Sequence, residues 1–252
     1  MTLLTCAARS ALVALVLVSG VVPARADDVK VFSSVAMRAV VEELAQRFER
    51  EGRHHVVATF GLAAAMKSRI EAGEAFDLVT VTPAQIDDLI KQGKATAASR
   101  AVIARTGLGL MVRAGSPKLD VGTVDAFKRT LLSAKSIAYA KEGASGVLFA
   151  SLLQRLGIAA DLQARSRLTA SGEEVSAAVV KGDVEFGVLP LSEVLPVKGE
   201  EPVMFPADAQ SYIVMVGGVN AASKHAAAAR ELIQYVTASA ALPVLKAKGM
   251  ER

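Results

Sequence analysis

The chain has 252 residues, 52% of them hydrophobic, and 29 Lys and Arg against 25 Asp and Glu give it a formal charge of +4. With no Trp and only 4% aromatic residues, it has neither the charge nor the stacking surfaces that nucleic-acid binding uses. The length permits one large domain or two lobes, each able to bury its own core.

Residues 1–26 read as an export signal. Arg9 supplies a positive charge, 11–19 is an apolar run too short to span a bilayer, and Ala24-Arg25-Ala26 has the small-x-small form of a cleavage site. Cleavage there starts the mature chain at Asp27 and removes Arg9 and Arg25, lowering the formal charge from +4 to +2. It also removes Cys6, the only cysteine, leaving no thiol, disulfide or Cys-based metal site. Cys6 precedes the apolar run, which argues against a lipid anchor. No later stretch reaches about 18 uninterrupted apolar residues, so the pattern predicts a soluble periplasmic protein without a transmembrane helix.

Past the signal, strand-like runs alternate with helical patterns. A strand beginning at Val29 runs into Ser33 and Ser34. The helix behind it carries Val40, Val41, Leu44 and Phe48 on one stripe, with Glu42, Glu43, Arg47 and Arg50 facing away. Gly52 ends it. The unit then repeats as a strand over 56–60, a turn at Gly61, a helix over 63–72 and a stop at Gly73. A third strand covers 76–81, and Thr82-Pro83 places a capping hydroxyl before a proline at the first helical position of a helix ending near Gly93.

The spacing then predicts a strand over 108–112, a turn at 114–117, a helix over 124–133, a strand over 136–140 and a helix over 147–156. Ser171-Gly172-Glu173-Glu174 has the form of a capping box and opens a helix to Lys181, followed by a strand over 184–189. A strand over 211–219 and helices over 226–236 and 240–248 complete the chain. Strands spaced by crossover helices imply parallel α/β sheets, with ligands beyond the carboxyl ends of the strands.

Several side chains have structural readings. His54 and His55 are adjacent on an extended chain and point to opposite faces, which is poor metal geometry. With His225 isolated, no metal site is expected. Asp87-Asp88 and Glu173-Glu174 sit near helix starts, where acidic residues favour the dipole. Gly143-Ala144-Ser145-Gly146 lies between a strand and a helix but is no P-loop, because Lys-Ser/Thr is absent after the glycines.

The chain resembles the periplasmic substrate-binding proteins of ABC importers, in the molybdate-binding-like branch of the type II class. The resemblance is carried by KVFSSVAMRAVVEELAQRFERE, TFGLAAAMKSRIEAGEAFDLVTVTP, KEGASGVLFASLLQRLGI and VVKGDVEFGVLPLSEV. It implies a two-lobed α/β fold, each lobe a mainly parallel sheet flanked by helices. Residues 27–105 would form the first part of lobe one, 106–210 lobe two, and 211–252 the return to lobe one. It further implies a monomer that clamps a small anionic ligand in the cleft, without a cofactor, and delivers it to an ABC transporter permease.

The resemblance places ligand contacts around Ala36 and at Leu62 and Ala63, and the strand–helix junctions, where free helix N–H groups favour an anion, add Ser33, Ser34, Val35, Gly61, Ala144, Ser145 and Gly146, with Thr82 read first as a helix cap and second as a contact. In molybdate binders of this branch the oxyanion is held by two serine hydroxyls, backbone N–H groups and a tyrosine. On this chain the serine positions fall on Ala36 and Ala63, and the tyrosine near Pro190. Each missing hydroxyl removes a hydrogen bond to a charged group worth about 1.5–3 kcal/mol. Unless Ser33, Ser34, Thr82 and Ser145 substitute, a larger organic anion is the better expectation, with Arg38, Lys67 or Arg69 as countercharge. Some proteins resembling this branch are enzymes, aconitate isomerase among them, and an isomerase on the same fold is the alternative. Such chemistry needs a base in the cleft; no His is placed for it, and Lys141, Glu142 and Ser145 lack an activating neighbour in sequence.

Overall fold

The computed structural model describes residues 28–252; the signal and cleavage site proposed for 1–26 lie outside the described residues. In the first half, β1 (Asp28–Ser34), α1 (Arg38–Arg50), β2 (His55–Gly61), α2 (Ala63–Glu71), β3 (Leu78–Val81) and α3 (Pro83–Lys91) alternate. β1 lies between β2 and β3 and runs parallel to both, with Ser34 opposite Gly61 and Ser33 opposite Thr80. Side chains alternate across a strand, so Val31 and Phe32 enter different cores. Val31 joins Val40, Leu44 and Phe48 of α1 on one face; Phe32 joins Met66 and Ile70 of α2 and Ile86 and Leu89 of α3 on the other. Gly73 and Gly93, with φ of +92° and +69°, end α2 and α3 in the left-handed conformation that glycine adopts without steric cost.

β4 (Ala101–Arg113) is the long element of the molecule, and the predicted strand over 108–112 covers only its second half. Its first half pairs antiparallel with the late strand β9, described below, and from Leu108 onward it pairs with strands of the other lobe. There follow α4 (Val124–Ser133), β5 (Ile137–Ala140), α5 (Ala144–Arg155), α6 (Ala159–Gln163), β6 (Ser166–Thr169), α7 (Gly172–Lys181), β7 (Phe186–Pro190), α8 (Leu191–Val194) and β8 (Glu200–Met204). β5 runs parallel to β6 and β7, and helices cover both faces of this sheet. Phe127 of α4 and Phe149 of α5 pack on Phe205 at centroid distances of 4.7 and 6.1 Å, while Val175 and Val179 of α7 fill the other side.

The chain returns through β9 (Tyr212–Val219), antiparallel to both β3 and β4. It ends in α9 (Ala226–Thr237) and α10 (Leu242–Ala247), which pack on α1. Strand order is β2-β1-β3-β9-β4-β7-β5-β6, with β8 on β4. Two parallel-cored sheets flanked by helices thus meet at the antiparallel pair β4 and β9. The sequence reading did not anticipate α6, β6, α8 or β8. It also started α5 at 147, whereas the helix begins at Ala144, which moves Ser145 and Gly146 from a loop into the first helical turn.

Candidate functional site

A cavity of about 490 Å³ opens where the strand ends of the two lobes face each other. From lobe one come the junction of β1 with its helix (Ser34, Val35, Ala36), the start of α2 (Leu62, Ala63, Ala64) and the start of α3 (Thr82, Pro83). From lobe two come the start of α5 (Gly143, Ala144, Ser145), Gly172 at the start of α7, and Pro190 and Glu193 at β7 and α8. Tyr212, Ile213 and Val214 of β9 complete the wall. The first N–H groups of a helix have no intrahelical acceptor and carry its positive dipole end, so helix starts from both lobes present donors to one space.

Eight of the residues anticipated from sequence line this cavity: Ser34, Val35, Ala36, Leu62, Ala63, Thr82, Ala144 and Ser145. Three do not. Ser33 is fully buried, its hydroxyl 2.7 Å from Thr80 Oγ1 and donating to the Ser34 carbonyl at 3.2 Å; strand alternation turns it into the sheet. Gly61 lies beneath Met66, whose Cε would stand 2.6 Å from an added Cβ. Gly146 packs α5 onto the end of β5, where a Cβ would lie 1.8 Å from the Ala140 carbonyl oxygen.

The two serines on the wall are not caps. Ser34 and Ser145 are 8% and 5% exposed, and among the described residues neither hydroxyl has a hydrogen-bond partner. Thr82 opens α3 in a capping box with Gln85, its N–H and its hydroxyl both donating to Gln85 Oε1, at 3.1 and 2.8 Å. Ser171 accepts from the Glu174 N–H at 3.2 Å, the predicted cap of α7.

The expected countercharges are not in the wall. Arg38 Nη2 pairs with Glu173 Oε1 at 2.8 Å and its guanidinium lies 4.7 Å over Phe60. Lys67 pairs with Glu71 at 2.7 Å. Arg69 pairs with Glu74 and lies 4.5 Å over Phe32. The charged side chains that do reach the cavity are acidic, Glu142 and Glu193. Burial pushes the Glu193 carboxyl up to about 7, helped by the charge of Glu173 and opposed by Arg38. Lys141, by contrast, is absent from the lining. Among the described residues no group of three or more His, Cys, Asp or Glu is placed to hold a metal ion.

Sequence reasoning missed Glu193 and Tyr212. Glu193 sits on the four-residue α8, which carried no signal of its own, and Tyr212 opens a strand that was expected at 211–219 but had nothing local to place its first residue at the cleft.

Two lobes joined by antiparallel strands, with a cavity at the carboxyl ends of their parallel strands, define the periplasmic-binding-protein fold. The chain belongs to the bacterial extracellular solute-binding protein family, whose model matches residues 29–251. It is 32% identical over 189 residues to the aconitate isomerase of a Pseudomonas species, a match covering 74% of this chain and 71% of that protein. It is 26% identical over 233 residues to the molybdate-binding protein of Azotobacter vinelandii, covering 90% of each. The solved periplasmic molybdate-binding protein of Azotobacter vinelandii shares the fold with a TM-score of 0.77 at 20% identity, over 89% of this chain and 99% of that one.

Proposed function

We propose that the protein is an exported, monomeric solute receptor whose cleft captures a small organic anion bearing carboxylates and hands it to an ABC-type permease. One observation carries this reading: helix starts from both lobes, with the unpartnered hydroxyls of Ser34 and Ser145, converge on one cavity that has no Lys or Arg in its wall. Such a site offers many N–H and O–H donors spread over a wide surface, which suits an extended polyanion. Its volume falls within the range of about 300–1,000 Å³ common for organic ligands, more than one tetrahedral oxyanion fills. Ala36 and Ala63 stand where the resemblance expects hydroxyls, which also favours a larger ligand. The division of the chain into 27–105 with 211–252 and 106–210 belongs to this reading, supported by the change of partner along β4.

A ligand that binds only the folded state stabilises it by RT ln(1 + [L]/Kd). Thermal unfolding in the presence of molybdate, sulfate, succinate, citrate and aconitate tests the reading. The largest shift is expected from a di- or tricarboxylate, and a molybdate shift exceeding every carboxylate's would overturn it.

A second reading, an isomerase moving a proton on a tricarboxylate, is favoured by the two carboxyls in the wall and by the similarity to an aconitate isomerase. Proton transfer of this kind needs a group that titrates near the working pH and donors for the developing negative charge. Incubation with aconitate in deuterated water, followed by proton NMR, distinguishes the two. Isomer conversion with deuterium uptake supports the enzyme, and unchanged aconitate supports the receptor.

A further inference from the structure

The Glu193 carboxyl is in an unusual position for an anion site. It lies at the start of α8, where β7 delivers it to the cavity wall, and it also faces an adjoining apolar chamber between α1 and α7. Among the described residues neither of its oxygens has a hydrogen-bond partner. Oε2 lies against Gly172, where an added Cβ would come within 2.2 Å of it, so the glycine makes the space it occupies.

The charged groups around it do not compensate an ionised carboxylate. Glu173 of α7 stands beside it and repels, and Arg38 of α1 is already paired with Glu173 at 2.8 Å. Glu142, on the loop before α5, shares the cavity, as does Tyr212 at the start of β9, whose ring lies under Arg105 at 4.5 Å. Glu42 and Lys181 also line the adjoining chamber. An unpaired carboxylate in such a setting is destabilised by lost solvation and by its neighbour's charge, and an anionic ligand entering the cleft adds a further repulsion.

We propose that Glu193 enters the complex as a neutral carboxylic acid whose O–H donates to a ligand carboxylate, so that the cleft takes up its anion together with a proton. This rests on the reading of the cleft as a carboxylate site. Burial pushes the Glu193 carboxyl up to about 7 in the ligand-free protein. Above that pH, ligand entry draws one proton from solvent onto Glu193, and apparent affinity falls about tenfold per pH unit until the bound acid itself ionises. A neutral acid adds a donor to a wall that holds no Lys or Arg, without the desolvation cost of a buried cation.

Two measurements on the full mature chain test it. In ligand-free protein carrying 13C at the glutamate carboxyls, one resonance is expected to titrate near pH 7 and to vanish in Glu193→Gln. If Glu193 titrates with the ordinary glutamates, the proposal is overturned. Calorimetry with trans-aconitate, with the ligand's own last ionisation measured separately and subtracted, should show affinity about tenfold weaker at pH 8 than at pH 6, with proton uptake at pH 8. Glu193→Gln, which keeps a neutral donor, should bind at all pH values as the parent does at pH 6. A parent whose affinity is flat with pH, or a Gln variant that keeps the slope, overturns the proposal while leaving the carboxylate reading intact. No binding of trans-aconitate or citrate at any pH overturns both, whatever the carboxyl titration shows.

Discussion

Adjacent serines at the end of β1 should behave in opposite ways when replaced. In Ser33→Ala the lost hydroxyl leaves its 2.7 Å neighbour Thr80 Oγ1 without a partner in a strand interior where the two residues are 0% and 2% exposed. A buried hydroxyl stranded in this way costs about 1–3 kcal/mol, and Ser33 is not on the cavity wall, so folding free energy should fall by that amount while affinity stays within a factor of two or so. Ser34→Ala breaks no hydrogen bond of the free protein. Its folding free energy should hold within about 0.5 kcal/mol, and loss of a donor to a charged ligand should weaken binding by about 1.5–3 kcal/mol, roughly ten- to a hundredfold. Urea unfolding followed by circular dichroism, with ligand titration by calorimetry, reads both quantities on each variant. If Ser33→Ala keeps its stability and loses affinity, the division of labour along β1 is wrong.

Gly146→Ala should lower the melting temperature sharply, because its Cβ would lie 1.8 Å from a backbone oxygen of Ala140 that cannot move aside; a cost of about 3 kcal/mol is the order expected for such overpacking. In an open helix the same change would stabilise by up to about 1 kcal/mol, so a raised melting temperature refutes the close packing of α5 on β5. The pH dependence of stability should carry the signature of Glu193, whose folded-state value of about 7 lies above its ordinary 4.5. The folded protein then holds the extra proton between those values, so this contribution is full below pH 4.5 and is lost as pH rises through 7, by at most about 3 kcal/mol. Glu193→Gln should remove that slope when unfolding free energies at pH 5 and pH 8 are compared, and an unchanged slope would count against the raised value.

Much of the first lobe is legible in the sequence because its signals are local. The stripe of Val40, Val41, Leu44 and Phe48 has helix period, the strand before it ends in small polar residues, and glycines with positive φ stand at helix ends. What was missed depends on tertiary contact. The 101–107 half of β4 reads poorly as a strand because Arg105 is held outside, over Tyr212 at 4.5 Å and paired with Glu251 at 2.9 Å. β6 and β8 lie at the margins of their sheet, short and only partly buried. With glycines at 143 and 146 the helix reads as starting only at 147, yet Gly146 serves the close approach of α5 to β5 within its first turn. The choice between Ser33 and Ser34 turns on which face of β1 each occupies at its last residues, and that follows from the register of β1 with β3.

The lining of the cleft shows why anion capture here need not rely on a fixed cation. Helix starts in one lobe face helix starts in the other, and an empty cleft holds these positive dipole ends and the unpartnered hydroxyls of Ser34 and Ser145 without an acceptor between them. An anion that touches only one lobe is held as well in an open as in a closed arrangement, and it therefore shifts nothing between them. An anion long enough to accept from both gains donors only when the lobes approach, so the contacts that hold the ligand are also those that favour closure. The ion pair of Arg38 with Glu173 joins α1 of one lobe to α7 of the other at 2.8 Å, but both side chains are well exposed, and such a pair contributes about 1 kcal/mol or less. On the receptor reading, the weight of closure would fall on the ligand, which is the condition under which a permease could tell a loaded receptor from an empty one.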